Sequence, residues 1–222
     1  MDGGVSAMQK KKKNEVIGFY ELDVDMEKIS DRLTLSEVFW LKELQNRQLF
    51  FSGEIDQFGI PEIVQHIMHF NAEDAGIAPE NRKPIRLYLT SNGGEVDSGF
   101  ELIDCIRASC TPVWTINLGY LYSMGALIGM AGHKRFATQN AKYLIHDGTN
   151  FVYNSGYKAQ DQMKFNAKVE GRIKDYILLT SKITPEEYDE KARFEWYMFA
   201  DEALEKGLVD EVVWPGELEM IL

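Results

Sequence analysis

The sequence predicts an α/β domain with largely parallel strand pairing. Two observations carry this expectation. Short apolar, β-branched runs of strand length alternate with segments of helical period. In addition, Thr111 to Gly132 contains no Asp, Glu, Lys, Arg or His and changes midway from β-branched to small residues, as a buried strand running into a buried helix would. With 222 residues, 45% hydrophobic and 27% charged, the chain can bury a sizeable core as one large domain, and disordered, collagen-like and disulfide-scaffold classes are excluded.

Residues 1–30 read as an N-terminal extension, flexible or axial, with a solvated run from Lys10 to Lys13. No apolar stretch follows those charges and Asp2 breaks the myristoylation pattern, so no targeting signal is expected. Residues 31–222 form the single domain. Its strands are expected at Leu49-Phe50-Phe51, Ile85 to Leu89, Val113 to Ile116, Arg135-Phe136-Ala137 and Tyr143-Leu144-Ile145. Apolar residues recur at three and four from Pro61 to Phe70 and from Val96 to Ile106, which predicts helices there. Asn71 to Pro84, rich in Asn, Asp, Glu, Pro and Gly, reads as a surface loop. From about Tyr157 to residue 183 the positions of Phe165, Val169, Ile173, Tyr176, Ile177 and Thr180 mark one side of a long helix that projects or packs on a neighbour. Thr184-Pro185-Glu186-Glu187 opens another, with Thr as cap, Pro at the first helical position and Glu187 completing a capping box.

Charge and cysteine content narrow the function. Lys and Arg number 24 against 35 Asp and Glu, a net charge of −11, the wrong sign for a phosphate-neutralising surface, so nucleic acid is not an expected partner. Cys105 and Cys110 are too few and too close for a disulfide framework or thiolate metal site, which fits a reducing cytoplasm. The uncharged stretch is long enough for a bilayer, but Pro112, Asn117, Gly119 and Ser123 interrupt it, and no membrane association is expected.

Three strand-to-loop junctions carry the residues fit for chemistry. Ser123, in Tyr122-Ser123-Met124-Gly125, stands where a strand gives way to a helix of small residues; free N–H groups there stabilise negative charge, although a serine in that position ordinarily caps the helix. Gly93-Gly94 follows the strand Ile85 to Leu89 at its carboxyl end, where α/β sheets place ligands, and is not a nucleotide loop because neither a G-x-G-x-x-G nor a GK[ST] element is present. His146 closes the run Tyr143 to Ile145, a place for a base. His66 and His69, three apart on a helix, lack a third ligand at metal-site spacing and read as solvated; His133 reads as a loop residue.

Gly93-Gly94, Ser123-Met124-Gly125 and His146, in this order and each at such a junction, resemble the Clp protease proteolytic subunit (ClpP) family. The resemblance runs from about Asn46-Arg47-Gln48-Leu49-Phe50-Phe51-Ser52-Gly53 to Ala203-Leu204-Glu205-Lys206-Gly207-Leu208-Val209-Asp210, and the 29-residue step from Gly94 to Ser123 is similar to the family's. It implies a ClpP/crotonase-like spiral of repeated ββα units with a protruding handle helix. It further implies a serine nucleophile at Ser123, a base at His146, and an oxyanion hole from the N–H groups of Gly94 and Met124. The family's aspartate maps twelve residues before Gly207, onto Glu195, with Asp189 and Asp201 as alternatives. Other departures are Asn92 in place of a proline, Asp147-Gly148 after the histidine, a glycine-poor segment between Gly148 and Gly156, and Tyr120, Leu121 and Tyr122 where the family has small residues.

The resemblance thus implies an ATP-dependent protease subunit that cleaves unfolded protein or peptide substrates through an acyl-enzyme. It needs no metal or cofactor. Heptameric rings stacked as a tetradecamer, joined by the handle helix and fed by an AAA+ unfoldase, would be its setting. Three alternatives stand beside it: a catalytically silent subunit of a mixed ring with an active paralogue, a crotonase-like acyl-CoA enzyme, and a membrane-bound Ser-Lys peptidase with Lys134 or Lys142 as base.

Overall fold

A computed structural model describes residues 33–148, 152 and 154–222. The N-terminal extension and most of the glycine-poor segment after Gly148 lie outside these residues. In chain order the elements are α1 (Leu35–Gln45), β1 (Gln48–Ser52), α2 (Ile60–Glu73), β2 (Ile85–Ser91), α3 (Val96–Ala108), β3 (Val113–Tyr122) and α4 (Met124–Gly129). They continue with β4 (Lys134–Thr138), β5 (Lys142–Ile145), α5 (Gly156–Thr180), α6 (Pro185–Lys191), β6 (Trp196–Phe199), α7 (Ala200–Glu205) and β7 (Glu211–Val213). Short 3-10 turns occupy Pro79–Asn81 and Leu218–Ile221.

The expected α/β class with parallel-dominated pairing is what the chain adopts. The sheet runs β1-β2-β3-β4-β7, all parallel, while β5 pairs parallel with the second half of β3 and antiparallel with β6. Strand β3 therefore changes neighbour along its length, from β4 at Trp114 to Asn117 to β5 at Tyr120 to Tyr122. Asn117, fully buried, makes the change: its amide donates to Lys142 O at 3.0 Å and its carbonyl accepts from Gly119 N–H at 3.0 Å. A buried amide satisfied on both sides is stable where an unpaired one would cost a few kcal/mol.

Helices α2, α3 and α4 cover one face of the sheet through Ile60, Ile63, Ile67, Leu102, Ile103, Ile106 and Leu127. Each such side chain contributes about 1.5–3 kcal/mol by leaving water. On the other face Tyr88, Ile116, Phe136 and Val213 form a smaller cluster closed by Ile221 from the C-terminal turn. Arg47 ties the N-terminal end of the sheet together, donating to both oxygens of the buried Asp74 at 2.7 and 2.8 Å, and Thr111 donates to the same carboxylate at 2.7 Å.

Some local expectations are corrected. The stretch from Asn71 to Pro84 is not all loop: α2 runs on to Glu73 and a 3-10 turn follows. Thr184 caps α6 as expected, accepting from Glu187 N–H at 3.2 Å, but the box is not closed, because Glu187 instead receives Lys191 and Lys206. The reciprocal box stands at α1, between Thr34 and Glu37. The long helix begins at Gly156 and ends at Thr180, and only Tyr176 and Ile177 on it are buried, so its N-terminal two-thirds carries exposed Tyr157, Met163 and Phe165.

Candidate active site

The residues singled out at strand ends meet at the carboxyl edge of β2, β3 and β5. Ser123 follows β3 directly, and its N–H donates to Leu144 O at 2.9 Å, which fastens it to β5 two residues before His146. Its backbone has φ 54° and ψ −126°. A side chain at positive φ outside glycine costs on the order of 1–3 kcal/mol and persists only where the surroundings hold it. Although Ser123 is the N-cap of α4, its side chain makes no capping hydrogen bond. The hydroxyl thus stands at a sharp strand-to-helix turn without the ordinary structural employment of a serine there.

Gly93 and Gly94 pack against this turn. Gly93 has φ 100°, and a Cβ on it would lie 2.8 Å from Ser123 Cβ and 2.9 Å from Tyr122 O. Its N–H is taken by Ser91 Oγ at 3.0 Å and its carbonyl by Ile55 N–H at 2.8 Å. Gly94 has φ 148° and approaches Ile55 so closely that a Cβ would fall 2.2 Å from the Ile55 oxygen. Among the described residues the N–H of Gly94 has no acceptor, and that of Met124, first in α4, has none within the helix. Among the described residues, these two donors near the Ser123 turn therefore stand unengaged.

His146 leaves β5 and is three-quarters buried; its Nδ1 is 3.2 Å from Glu195 Oε1. Glu195 precedes β6, whose antiparallel pairing sets Trp196 opposite Ile145 and brings the carboxylate beside the imidazole. A carboxylate at Nδ1 selects the tautomer that leaves Nε2 as the acceptor and stabilises the imidazolium. The two alternative carboxylates are engaged elsewhere: Asp189 with Lys174, and Asp201 with Glu202 N–H at 3.0 Å. Lys134 is paired with Glu211 at 2.8 Å, and Lys142 starts β5 at the end away from His146.

The remaining histidines are placed apart from this edge. His66 and His69 lie along α2 beside Glu62 and Glu73, and burial holds the His66 imidazole below its ordinary range. His133 is more than a loop residue: its Nδ1 accepts Val113 N–H at 3.1 Å and closes the start of β3. A cleft of about 350 Å³ lined by Arg107, His133, Arg135 and Asp210 contains none of the strand-end groups.

One neighbour escaped the sequence reading. Tyr197 packs edge-on against Tyr122, with ring centres 5.7 Å apart at 85°, and the influence of the nearby Glu195 carboxylate raises its phenol above the ordinary tyrosine range. Tyr120 lies against Tyr122 at 5.0 Å. The alternation of residues 195, 197 and 199 along one extended face was the available signal.

Comparison with known proteins identifies the family. A family model described as Clp protease matches residues 36–215. The ATP-dependent Clp protease proteolytic subunit 2 of Treponema pallidum (strain Nichols) is 29% identical over 193 residues, 86% of this chain and 94% of that protein. The proteolytic subunit 1 of Protochlamydia amoebophila (strain UWE25) is 31% identical over 175 residues, 77% of this chain and 82% of that one. The proteolytic subunit of Streptococcus mutans serotype c is 29% identical over 184 residues, 79% and 89% of the two chains. With four-fifths of its length matched to one family model, and with glycine pair, serine and histidine at three adjacent strand ends, the chain belongs to the Clp protease family.

Proposed function

We propose that this chain is a serine endopeptidase subunit that hydrolyses peptide bonds of unfolded proteins, with Ser123 as nucleophile, His146 as general base and Glu195 as the residue orienting the base. The observation that carries the reading is Ser123 held at positive φ and uncapped, near the Gly94 and Met124 N–H groups that have no acceptor among the described residues, and hydrogen-bonded to the strand that leads into His146, which Glu195 contacts. In the reaction, Ser123 Oγ forms a bond to the substrate carbonyl carbon while His146 Nε2 takes its proton. The oxyanion is received by Gly94 and Met124 N–H, each such donor lowering the barrier by about 3–4 kcal/mol. His146 returns the proton to the leaving amine, and water then releases the acyl group by the same steps in reverse.

The setting belongs to the proposal as well. Exposed Tyr157, Met163 and Phe165 on a 25-residue helix, about 37 Å long at 1.5 Å per residue, suit a handle between two heptameric rings fed by an AAA+ unfoldase. Sedimentation as a stable monomer at micromolar concentration would remove this part. The free thiols Cys105 and Cys110 support a cytoplasmic location, and among the described residues no helix is long and apolar enough to cross a membrane.

The test of the chemistry is intact-mass labelling by a fluorophosphonate. Adduct on the unaltered chain that vanishes in Ser123→Ala, and forms far more slowly in Glu195→Ala, is the expected result; in a related triad, losing the carboxylate's role cost about 10⁴ in turnover. Absence of adduct, even with an unfoldase added, favours the second reading, a silent subunit completing a mixed ring. That reading is supported by the more than half exposed glutamate at the third position and by relatives whose names number them as subunits 1 and 2.

A further inference from the structure

We propose that Lys191 is a positioning residue for Glu195, its ammonium lying on the Trp196 ring and so keeping the carboxylate within reach of His146. The inference rests on the triad reading given above. Three observations lead to it. Lys191 ends α6, and its Nζ stands 4.6 Å from the centre of the ring of Trp196, the residue directly after Glu195. Its carbonyl accepts the N–H of Phe194, the residue directly before Glu195, at 3.0 Å, so one lysine holds the chain on both sides of the carboxylate. The next residue, the buried Ala192, accepts Asp147 N–H at 2.6 Å and fixes the position after His146. The end of α6 is thereby attached to the chain beside both members of the pair, while the strand register sets Trp196 opposite Ile145, the position before His146.

Lys191 is itself anchored for this task. One oxygen of Glu187, a helical turn earlier, accepts Lys191 Nζ at 2.9 Å and Lys206 Nζ, from the end of α7, at 2.6 Å. The shared carboxylate holds the ammonium over the indole, whose π face attracts a cation. Trp196 is half-buried and packs on the main core, so the clamp joins α6 to the sheet. The need for it follows from Glu195. That side chain is 58% exposed, and its 3.2 Å contact with Nδ1 is at the long end for a charge-assisted hydrogen bond, so a small outward shift of the segment opens it. Lys191 touches neither substrate nor Ser123 in this scheme and acts only through the placement of residue 195.

A double-mutant cycle on the full chain distinguishes this role from simple packing. Lys191→Met keeps the stem and removes the charge, whereas Lys191→Arg keeps a cation able to lie on the indole. Fluorophosphonate labelling of Ser123 is expected to slow about fivefold in Lys191→Met and to recover to within about twofold of the unaltered rate in Lys191→Arg. Adding Lys191→Met to Glu195→Ala is expected to change nothing further. Equal slowing in both backgrounds, or none in the first, overturns the proposal. If Glu195→Ala itself labels at the unaltered rate, the triad reading fails; if Glu195→Ala is slow and Lys191→Met is not, only the Lys191 inference fails. A second measurement needs no labelling of Ser123. In protein carrying isotope-labelled histidine, the Nδ1–H resonance of His146, identified by its loss in His146→Gln and in Glu195→Ala, should broaden or vanish in folded Lys191→Met and persist in Lys191→Arg. Its persistence, unbroadened, in Lys191→Met refutes the clamp.

Discussion

Replacing Gly93 by alanine isolates how tightly the candidate nucleophile is held. The added Cβ would stand 2.8 Å from Ser123 Cβ and 2.9 Å from Tyr122 O, where carbon atoms ordinarily keep about 3.5–4 Å. Gly93 is fixed from both sides, through Ser91 Oγ and Ile55 N–H, so the displacement falls on the Ser123 turn and amounts to about 1 Å. A misplacement of that size costs roughly 100-fold in the rate of a positioned reaction. The backbone at φ 100° adds a stability loss of about 1–3 kcal/mol, less than would unfold an ordinary domain. The assay pairs fluorophosphonate labelling with thermal denaturation. Gly119→Ala serves as the control, because its nearest neighbours would be at 3.9 and 4.0 Å and its labelling should stay within about twofold of the unaltered chain. Labelling of a folded Gly93→Ala at the unaltered rate would refute the argument that this glycine sets the position of Ser123.

Further outcomes follow from the framework around the site. Asp74→Ala should cost about 1.5–3 kcal/mol in urea denaturation, because it removes two charge-assisted hydrogen bonds from the mostly buried Arg47 guanidinium and leaves it only Glu73, at 3.3 Å, as counter-charge. The Asp74 carboxyl is held below its ordinary value, chiefly by Arg47, so its contribution is complete above about pH 4 and is lost as pH falls through the depressed folded-state value. Asp74→Asn should accordingly show a flatter loss of stability between pH 5 and pH 2, read from denaturation midpoints, and a slope equal to that of the unaltered chain would contradict the linkage. Tyr176→Phe should cost about 1–2 kcal/mol by orphaning the Leu127 carbonyl, to which the buried phenol donates at 3.0 Å; melting at the unaltered temperature would count against that contact. Arg135→Lys should destabilise by about 1–3 kcal/mol, since a lysine cannot reach Asp210, Thr180 O and Gly207 O together. Chemical denaturation of Arg135→Lys checks this.

The strand-end groups were legible in the sequence because each is a local event. A β-branched run, a turn residue and a chemically capable side chain occupy a few consecutive positions at Leu89 to Gly94, at Ile116 to Met124 and at Tyr143 to His146. The corresponding strands and helices were found within a few residues of expectation, β3 excepted, which runs on past Ile116 to Tyr122. Other elements lacked such a signal. Helix α1 has no buried residue and so no apolar stripe to read, while β6 and β7 span four and three residues, too short for alternation to register. Glu187 has the spacing of a capping box, yet two lysines compete for it, one of them Lys206 from nineteen residues on.

By itself, then, the sequence determined the α/β class, the glycine pair, the serine, the histidine and the long helix after Gly156, because backbone propensity and side-chain period act over a handful of bonds. Only the tertiary structure decided which carboxylate meets His146. Asp189 and Asp201 were open alternatives on the chain, and the antiparallel pairing of β6 with β5 brought Glu195 to the imidazole, while α6 turned Asp189 to Lys174. The break in β3 at Asn117, the uncapped strain at Ser123 and the tyrosine row beside Glu195 are of the same kind. Each depends on contacts between segments tens of residues apart, whose relative placement is set by packing of the whole sheet and by no local preference.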